Sequence, residues 1–153
     1  MHRFGSGLFY QDLEVGFAFS TMGRTVTETD LVSFIALTGM YEEMFVNVVY
    51  ARESSVFDGR VVPGQLVHAF AEGLVVLTGA LRGTGMALLG AESRFRAPTL
   101  VGDTISVDVT VTEMKLTSSQ DRGIVTSLNI VRNQRGETVM EISPKRMIRC
   151  RRE

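Results

Sequence analysis

Pro63-Gly64-Gln65-Leu66-Val67-His68-Ala69-Phe70-Ala71-Glu72-Gly73-Leu74-Val75-Val76-Leu77, followed further along by Thr104-Ile105-Ser106-Val107-Asp108-Val109-Thr110-Val111-Thr112, decides the fold. Pro63-Gly64 opens a helix over residues 65–79 in which Leu66, Val67, Ala69, Phe70, Leu74, Val75, Val76 and Leu77 leave almost no polar face. Such a helix must be buried. In the second stretch the period falls to two, with Ile105, Val107, Val109 and Val111 alternating with polar residues. That is the mark of a long antiparallel strand with one wet face. Turns at residues 118–123 and at Asn133-Gln134-Arg135-Gly136 lead to strands over 124–132 and from 137 onward, and residues 87–96 supply one more before them. Pro144 cannot donate to a ladder and should mark an edge or a bulge of the last strand.

Working back toward the N-terminus, residues 17–26 are β-prone and should form a strand. Thr27 with Asp30 has the spacing of a capping box, Leu31, Phe34 and Ile35 share one helical face, and Gly39 suits a left-handed stop. A helix over residues 28–38 follows. Residues 40–57 mix Glu42 and Glu43 with Val46, Val48, Val49 and Tyr50, which reads as a loop and then a short helix over 49–55. One buried helix followed by an antiparallel meander gives an α+β fold in which a curved sheet wraps the helix, the hot-dog architecture. Its open edge strand would be satisfied by pairing with a second copy, so a homodimer is expected.

The 153 residues suit a single domain over 1–153, with 44% apolar and 22% charged residues and no linker-like composition shift. A net charge of -1 argues against a nucleic-acid partner. Lys145, Arg146, Arg149, Arg151 and Arg152 form the one basic cluster, read as a solvated last strand and tail or, alternatively, a phosphate contact. Cys150 has no second cysteine to pair with, and no Cys/His cluster offers a metal site, so a reducing cytoplasmic setting without metal or cofactor is the expectation. Gly5, Ser6 and Gly7 interrupt the start where a secretory signal would need an apolar run, and residues 66–77 are too short to span a bilayer.

Several segments resemble the MaoC-like (R)-specific hydratases. They are Phe9-Tyr10-Gln11-Asp12-Leu13-Glu14-Val15-Gly16, Arg24-Thr25-Val26-Thr27-Glu28-Thr29-Asp30, the Thr38-Gly39 pair, Tyr50-Ala51, Phe57-Asp58-Gly59-Arg60-Val61-Val62-Pro63-Gly64-Gln65-Leu66, and Phe95-Arg96-Ala97-Pro98-Thr99-Leu100-Val101-Gly102-Asp103-Thr104. Each is weak alone; their order and spacing carry the resemblance. It implies a homodimer binding acyl-CoA or acyl-pantetheine thioesters, and hydration of an enoyl thioester or its reverse. That family has an aspartate after the Thr-Gly pair and a histidine five residues on, where this chain has Met40 and Phe45. Neither side chain can exchange a proton.

The resemblance leaves Gly64 as a candidate for the thioester carbonyl's donor, a backbone N–H at a helix start, or else as a purely steric residue. Pro63 stands where the family has a histidine, and Gln65 follows at the helix entrance. Glu42 and Glu43 are the nearest acids to the lost positions; desolvated beside Met40, Met44 and Phe45 they could move protons, and otherwise they are exposed loop acids. Tyr41 is a hydroxyl donor or a packing residue, and Asn47 a substrate contact or a cap for the next helix. Arg94 and Arg96 share one side of a strand, where they could bind coenzyme A phosphates or simply be solvated. His68 and Glu72, four apart on the central helix, could pair structurally or, by likeness to hot-dog thioesterases, use Glu72 catalytically. Three functions remain open: a hydratase with relocated acid and base, a non-catalytic acyl-thioester binding module, and a thioesterase.

Overall fold

In the computed structural model, which describes residues 5–53 and 56–151, an antiparallel sheet curves around one helix. The elements in chain order are β1 (Ala18–Ser20), β2 (Arg24–Thr25), α1 (Glu28–Thr38), α2 (Glu43–Val46), α3 (Val48–Glu53), α4 (Gly64–Leu77), β3 (Gly85–Phe95), β4 (Thr104–Leu116), β5 (Arg122–Arg132) and β6 (Thr138–Arg149). Sheet order is β1-β4-β5-β6-β3, with β2 also pairing β4. The inward side chains of the alternating strands, Ile105, Val107, Val109, Val131, Met140 and Ile142 among them, close on Leu66, Val67, Ala71, Leu74 and Val75 of α4. This is the α+β hot-dog arrangement, and the period-two reading of β4 holds residue for residue over Ile105 to Val111.

The α1 signals also hold. Thr27 and Asp30 form a reciprocal capping box, and Gly39 ends the helix at φ 75° with its N–H on the Ile35 carbonyl. The strand expected over residues 17–26 is instead two short ones. Between them Thr21 takes over the pairing, its N–H donating to the Val107 carbonyl and its hydroxyl accepting the Val107 N–H. A side-chain acceptor there displaces the backbone carbonyl and breaks the ladder. The loop-and-helix segment resolves into α2 and α3; Ser55, the expected helix end, lies outside the described residues, as does Arg152.

Two expectations need correction. Pro144 is not on an edge, because β6 runs between β5 and β3. The β5–β6 register is the same on both sides of it, with no residue pairing between Thr126↔Lys145 and Asn129↔Ile142, so the missing donor is absorbed as a gap in the ladder. The bulge lies nearby on β3, between Leu88 and Gly90. Nor is α4 buried all round: Ala69, Gly73, Val76 and Leu77 are exposed in the protomer, next to the unpaired edge of β3, whose residues are almost all exposed as well.

Candidate functional site

The entrance to α4 is built by a crossing of two loops. Val62 N–H donates to the Thr99 carbonyl, Val101 N–H to the Arg60 carbonyl, and Val61 bridges Leu100. This clamps Pro63, which is fully buried, and aims the first turn of α4 into a cavity of about 430 Å³. The Pro63 carbonyl accepts the Leu66 and Val67 N–H groups. The N–H groups of Gly64 and Gln65 have no protein acceptor among the described residues, as expected of the orphan donors of a helix start. Both residues line the cavity, so these donors, strengthened by the helix dipole, are placed to meet a carbonyl or anion. A side chain at Gly64 would collide with the Phe95 ring, its Cβ coming to 2.2 Å from Cε1. Close approach of Phe95 is what demands glycine here.

The cavity wall is largely apolar: Met44, Phe45, Phe57, Val61, Val62, Val67, Phe95 and Val139 contribute, with Gln65, Arg96 and Thr99 as its polar side chains. Among the described residues, no aspartate, glutamate or histidine lines it. Of the residues singled out from sequence, the structure brings Phe45, Pro63, Gly64, Gln65 and Arg96 together here and leaves Met40, Tyr41, Glu42, Glu43, Asn47 and Arg94 outside. Met44, Phe57, Thr99 and Val139 join the wall without having been singled out. Met44 and Val139 carried only apolar character, and Phe57 and Thr99 only membership of the family-like segments 57–66 and 95–104, far apart along the chain.

The outlying candidates have local employment. Glu42 caps α2 by accepting the Glu43 N–H, Glu43 accepts from Asn47 Nδ2 at 2.7 Å, and both acids are exposed. The desolvated setting expected for them is therefore absent in the protomer. Asn47 Oδ1 accepts the N–H groups of Val49 and Tyr50, each at 3.1 Å, the geometry of a helix cap. Arg94 pairs with Glu92 on the surface. Arg96 sits at the cavity rim, bonded to Glu141 at 2.7 Å, and its guanidinium holds the Glu141 carboxyl below the usual range. His68 and Glu72 do not pair with each other: His68 Nδ1 meets Ser93 Oγ at 3.2 Å, while Glu72 accepts from Arg146 at 2.5 Å. Arg146, expected on a solvated strand, is buried.

Residues 14–142 match the family model described as FAS1-like, dehydratase domain region. The (R)-specific enoyl-CoA hydratase of Rhodospirillum rubrum is 32% identical over 104 residues, 68% of this chain and 69% of that one. The chain belongs to the MaoC-like hydratase/dehydratase family. The 3-hydroxybutyryl-CoA dehydratase of Methylorubrum extorquens is 29% identical over 109 residues, 70% of this chain and 66% of that one. The crystal structure of the MaoC-like dehydratase from Rhodospirillum rubrum superposes with a TM-score of 0.87 at 30% identity, covering 96% of this chain and all of that one. Within the MaoC-like frame, then, the cavity at the start of α4 has a phenyl ring from Phe45 on its wall, and Met40 stands outside it.

Proposed function

We propose that this chain binds acyl-CoA or acyl-pantetheine thioesters as a homodimer, with the acyl group in the cavity at the start of α4, and that its active site is a non-standard one with little capacity for enoyl hydration. The observation that carries the reading is the cavity itself. It presents two unpaired backbone donors, from Gly64 and Gln65, within an apolar wall that holds no carboxylate or imidazole among the described residues. Those donors suit a thioester carbonyl, whose oxygen gains negative charge whenever an enolate forms, by addition at the β-carbon or loss of the α-proton. The greasy wall suits the acyl chain. Addition of water would also need a base to activate it and an acid to protonate the α-carbon. Met40 and Phe45 supply neither. The names of the relatives, an enoyl-CoA hydratase and a hydroxybutyryl-CoA dehydratase, support the ligand class.

The homodimer reading rests on the exposed apolar stripe of α4, with Val76 and Leu77, beside the open β3 edge carrying Met86, Leu88 and Leu89. Pairing two such edges would complete the backbone bonds of β3 and cover the stripe. Arg96, just past the end of β3 at the cavity rim, is better placed than Arg94 for a coenzyme A phosphate. The single cysteine, Cys150, is buried, which accords with a cytoplasmic setting.

Calorimetry with short- to medium-chain acyl-CoA should show binding, and crotonyl-CoA should be hydrated at least about 10²–10⁴ times more slowly than by an enzyme with a positioned acid and base, since one such group alone is typically worth that factor and two are missing. Absence of binding to a folded protein would overturn the ligand reading. Ordinary hydration rates would overturn the non-standard site. A second reading, with Glu42 or Glu43 as relocated acid or base, is favoured by their place immediately before Met44 and Phe45 of the wall. It predicts that Glu42→Gln or Glu43→Gln abolishes residual turnover with affinity unchanged. A thioesterase through Glu72 fits less well, since that carboxylate is held by Arg146 away from the cavity.

A further inference from the structure

Among the described residues β3 ends the sheet order, and one stretch of it is regular. Its register with β6 runs unbroken from Gly90↔Lys145 to Phe95↔Met140, after the bulge between Leu88 and Gly90. The Arg96 N–H continues the pairing by donating to the Val139 carbonyl. By strand alternation the backbone groups of Arg94 and Glu92 then also turn toward β6, and those of Ala91, Ser93 and Phe95 turn to the open edge. Pro144, which has no N–H to give, stands opposite Ala91, in keeping with that alternation. The side chains divide in the same way. Ser93 meets His68 and Phe95 leans on Gly64, so Ala91, Ser93 and Phe95 share the face toward α4. Glu92 and Arg94 project from the other face, bonded to each other at 2.8 Å, with side-chain exposures of 69% and 63%. Opposite charges thus flank Ser93 along a strand edge.

We infer that the occupant of this edge is a second copy of the chain, paired antiparallel with Ser93 opposite Ser93, so that Glu92 of each subunit stands across from Arg94 of the other. The inference rests on the homodimer reading and adds the register and the residues that fix it. A two-fold interface presents the same surface from both sides, so the edge must be complementary to itself. Centring on Ser93 satisfies this in three ways. Ser93 is the midpoint of the regular run 90–96, so the whole run is used and the bulge falls outside it. Moving the centre by one residue would set Glu92 against Glu92 or Arg94 against Arg94, and like charges directly opposite are destabilising. On the face toward α4 it sets the small Ala91 opposite the Phe95 ring, which is 57% exposed in the protomer. Phe95 lines the cavity at the start of α4, so the partner's strand would close that side of the site. Because the backbone groups of Glu92 and Arg94 face β6, their cross-subunit pairs fall at the non-hydrogen-bonded positions, with Cα atoms about 4.5 Å apart and side chains at their closest.

Engineered cysteines read the register directly. Co-expressed Glu92→Cys and Arg94→Cys chains, oxidised with glutathione disulfide, should give a disulfide-linked heterodimer, since about 4.5 Å between Cα atoms lies within the span of a disulfide. Either variant alone should stay unlinked, its two engineered cysteines being diagonal neighbours about 7–8 Å apart. The native Cys150 is buried and does not compete. Self-linking of Glu92→Cys would place the axis at residue 92, self-linking of Arg94→Cys at residue 94, and either result overturns the register. Charge reversal tests the pairing itself. Glu92→Arg and Arg94→Glu should each self-associate roughly ten-fold more weakly than the wild type at low salt, two attractive pairs having become repulsive. A mixture of the two should form heterodimers in excess of random pairing, and the exchanged variant Glu92→Arg/Arg94→Glu should self-associate like the wild type. Random pairing in that mixture would overturn the role of the charges. Light scattering keeps the two levels apart: a monomeric wild type at micromolar concentration removes the homodimer reading, whereas a wild-type dimer whose mixed cysteine variants do not link refutes the register alone.

Discussion

The inner and outer faces of α4 are made of the same kinds of residue and meet opposite fates. Leu66, Val67, Ala71, Leu74 and Val75 are buried against the sheet, while Ala69, Gly73, Val76 and Leu77 stand open beside the edge of β3. Side chains of equal hydrophobicity thus do different work: the inner set holds the protomer together, and the outer set is left for a surface that the protomer does not supply. An exposed apolar stripe beside an unpaired strand edge is where association is expected.

Leu74→Ala should give the largest effect, destabilising by roughly 2–5 kcal/mol in chemical denaturation, because the packed inner face cannot collapse around the void. Val76→Lys, two residues on, should change protomer stability by no more than about 0.5 kcal/mol, as for an exposed site, yet reduce the particle to monomer mass in light scattering at micromolar concentration. If Val76→Lys unfolds the protein as Leu74→Ala does, the comparison of faces is wrong. If it leaves a dimer intact, the seam lies elsewhere.

Inner-side features away from α4 should shift stability without shifting mass. Asp103, buried in the turn into β4, accepts from the Leu100 N–H, Gln134 Nε2 at 2.7 Å and Arg135. Burial alone would raise its pKa; the three donors outweigh it and hold the carboxyl below its usual range. Asp103→Asn should cost about 1.5–3 kcal/mol, the scale of hydrogen bonds to a charged group. Asp108 is likewise depressed, by the Ser20 hydroxyl and then Arg132. For carboxyls whose folded pKa lies below the unfolded value, stability is complete above the unfolded pKa of about 3.9 and is lost as pH falls through the folded value. Thermal melts should therefore be flat in these contributions near neutrality and drop below about pH 4, and the drop should shrink in Asp103→Asn. Among the variants that act on protomer stability through the inner side, Thr27→Ala should have the smallest effect, about 1 kcal/mol, from loss of the cap that seats Leu31 and Ile35.

Elements with a local cause were legible in the chain itself. The Thr27/Asp30 box, the Gly39 stop, the alternation of β4 and the turn at residues 133–136 each depend on a few neighbouring residues, and each stands as read. So does the family frame, since motif order is a property of the chain alone. Contacts between distant segments were not legible. Thr21 breaks a strand only because Val107 lies across from it, and Pro144 sits in an inner strand because β3 closes the sheet on its far side. Arg146 looked like one more surface cation until the pleat turned it inward toward Glu72.

The same division runs through the site. By itself the sequence determined that Met40 and Phe45 bring no proton to the expected positions and that a glycine opens α4. Only the tertiary structure decided that Phe45 reaches the cavity while Met40, Glu42 and Glu43 do not, and that Gly64 is glycine because Phe95 leans on it. The physical reason is that side-chain chemistry belongs to the residue, whereas a cavity is made by segments distant in sequence, here around residues 44–45, 57–67, 95–99 and 139. Which side chains share it is settled by the packing of the sheet around α4, and no local pattern in any one segment carries that information.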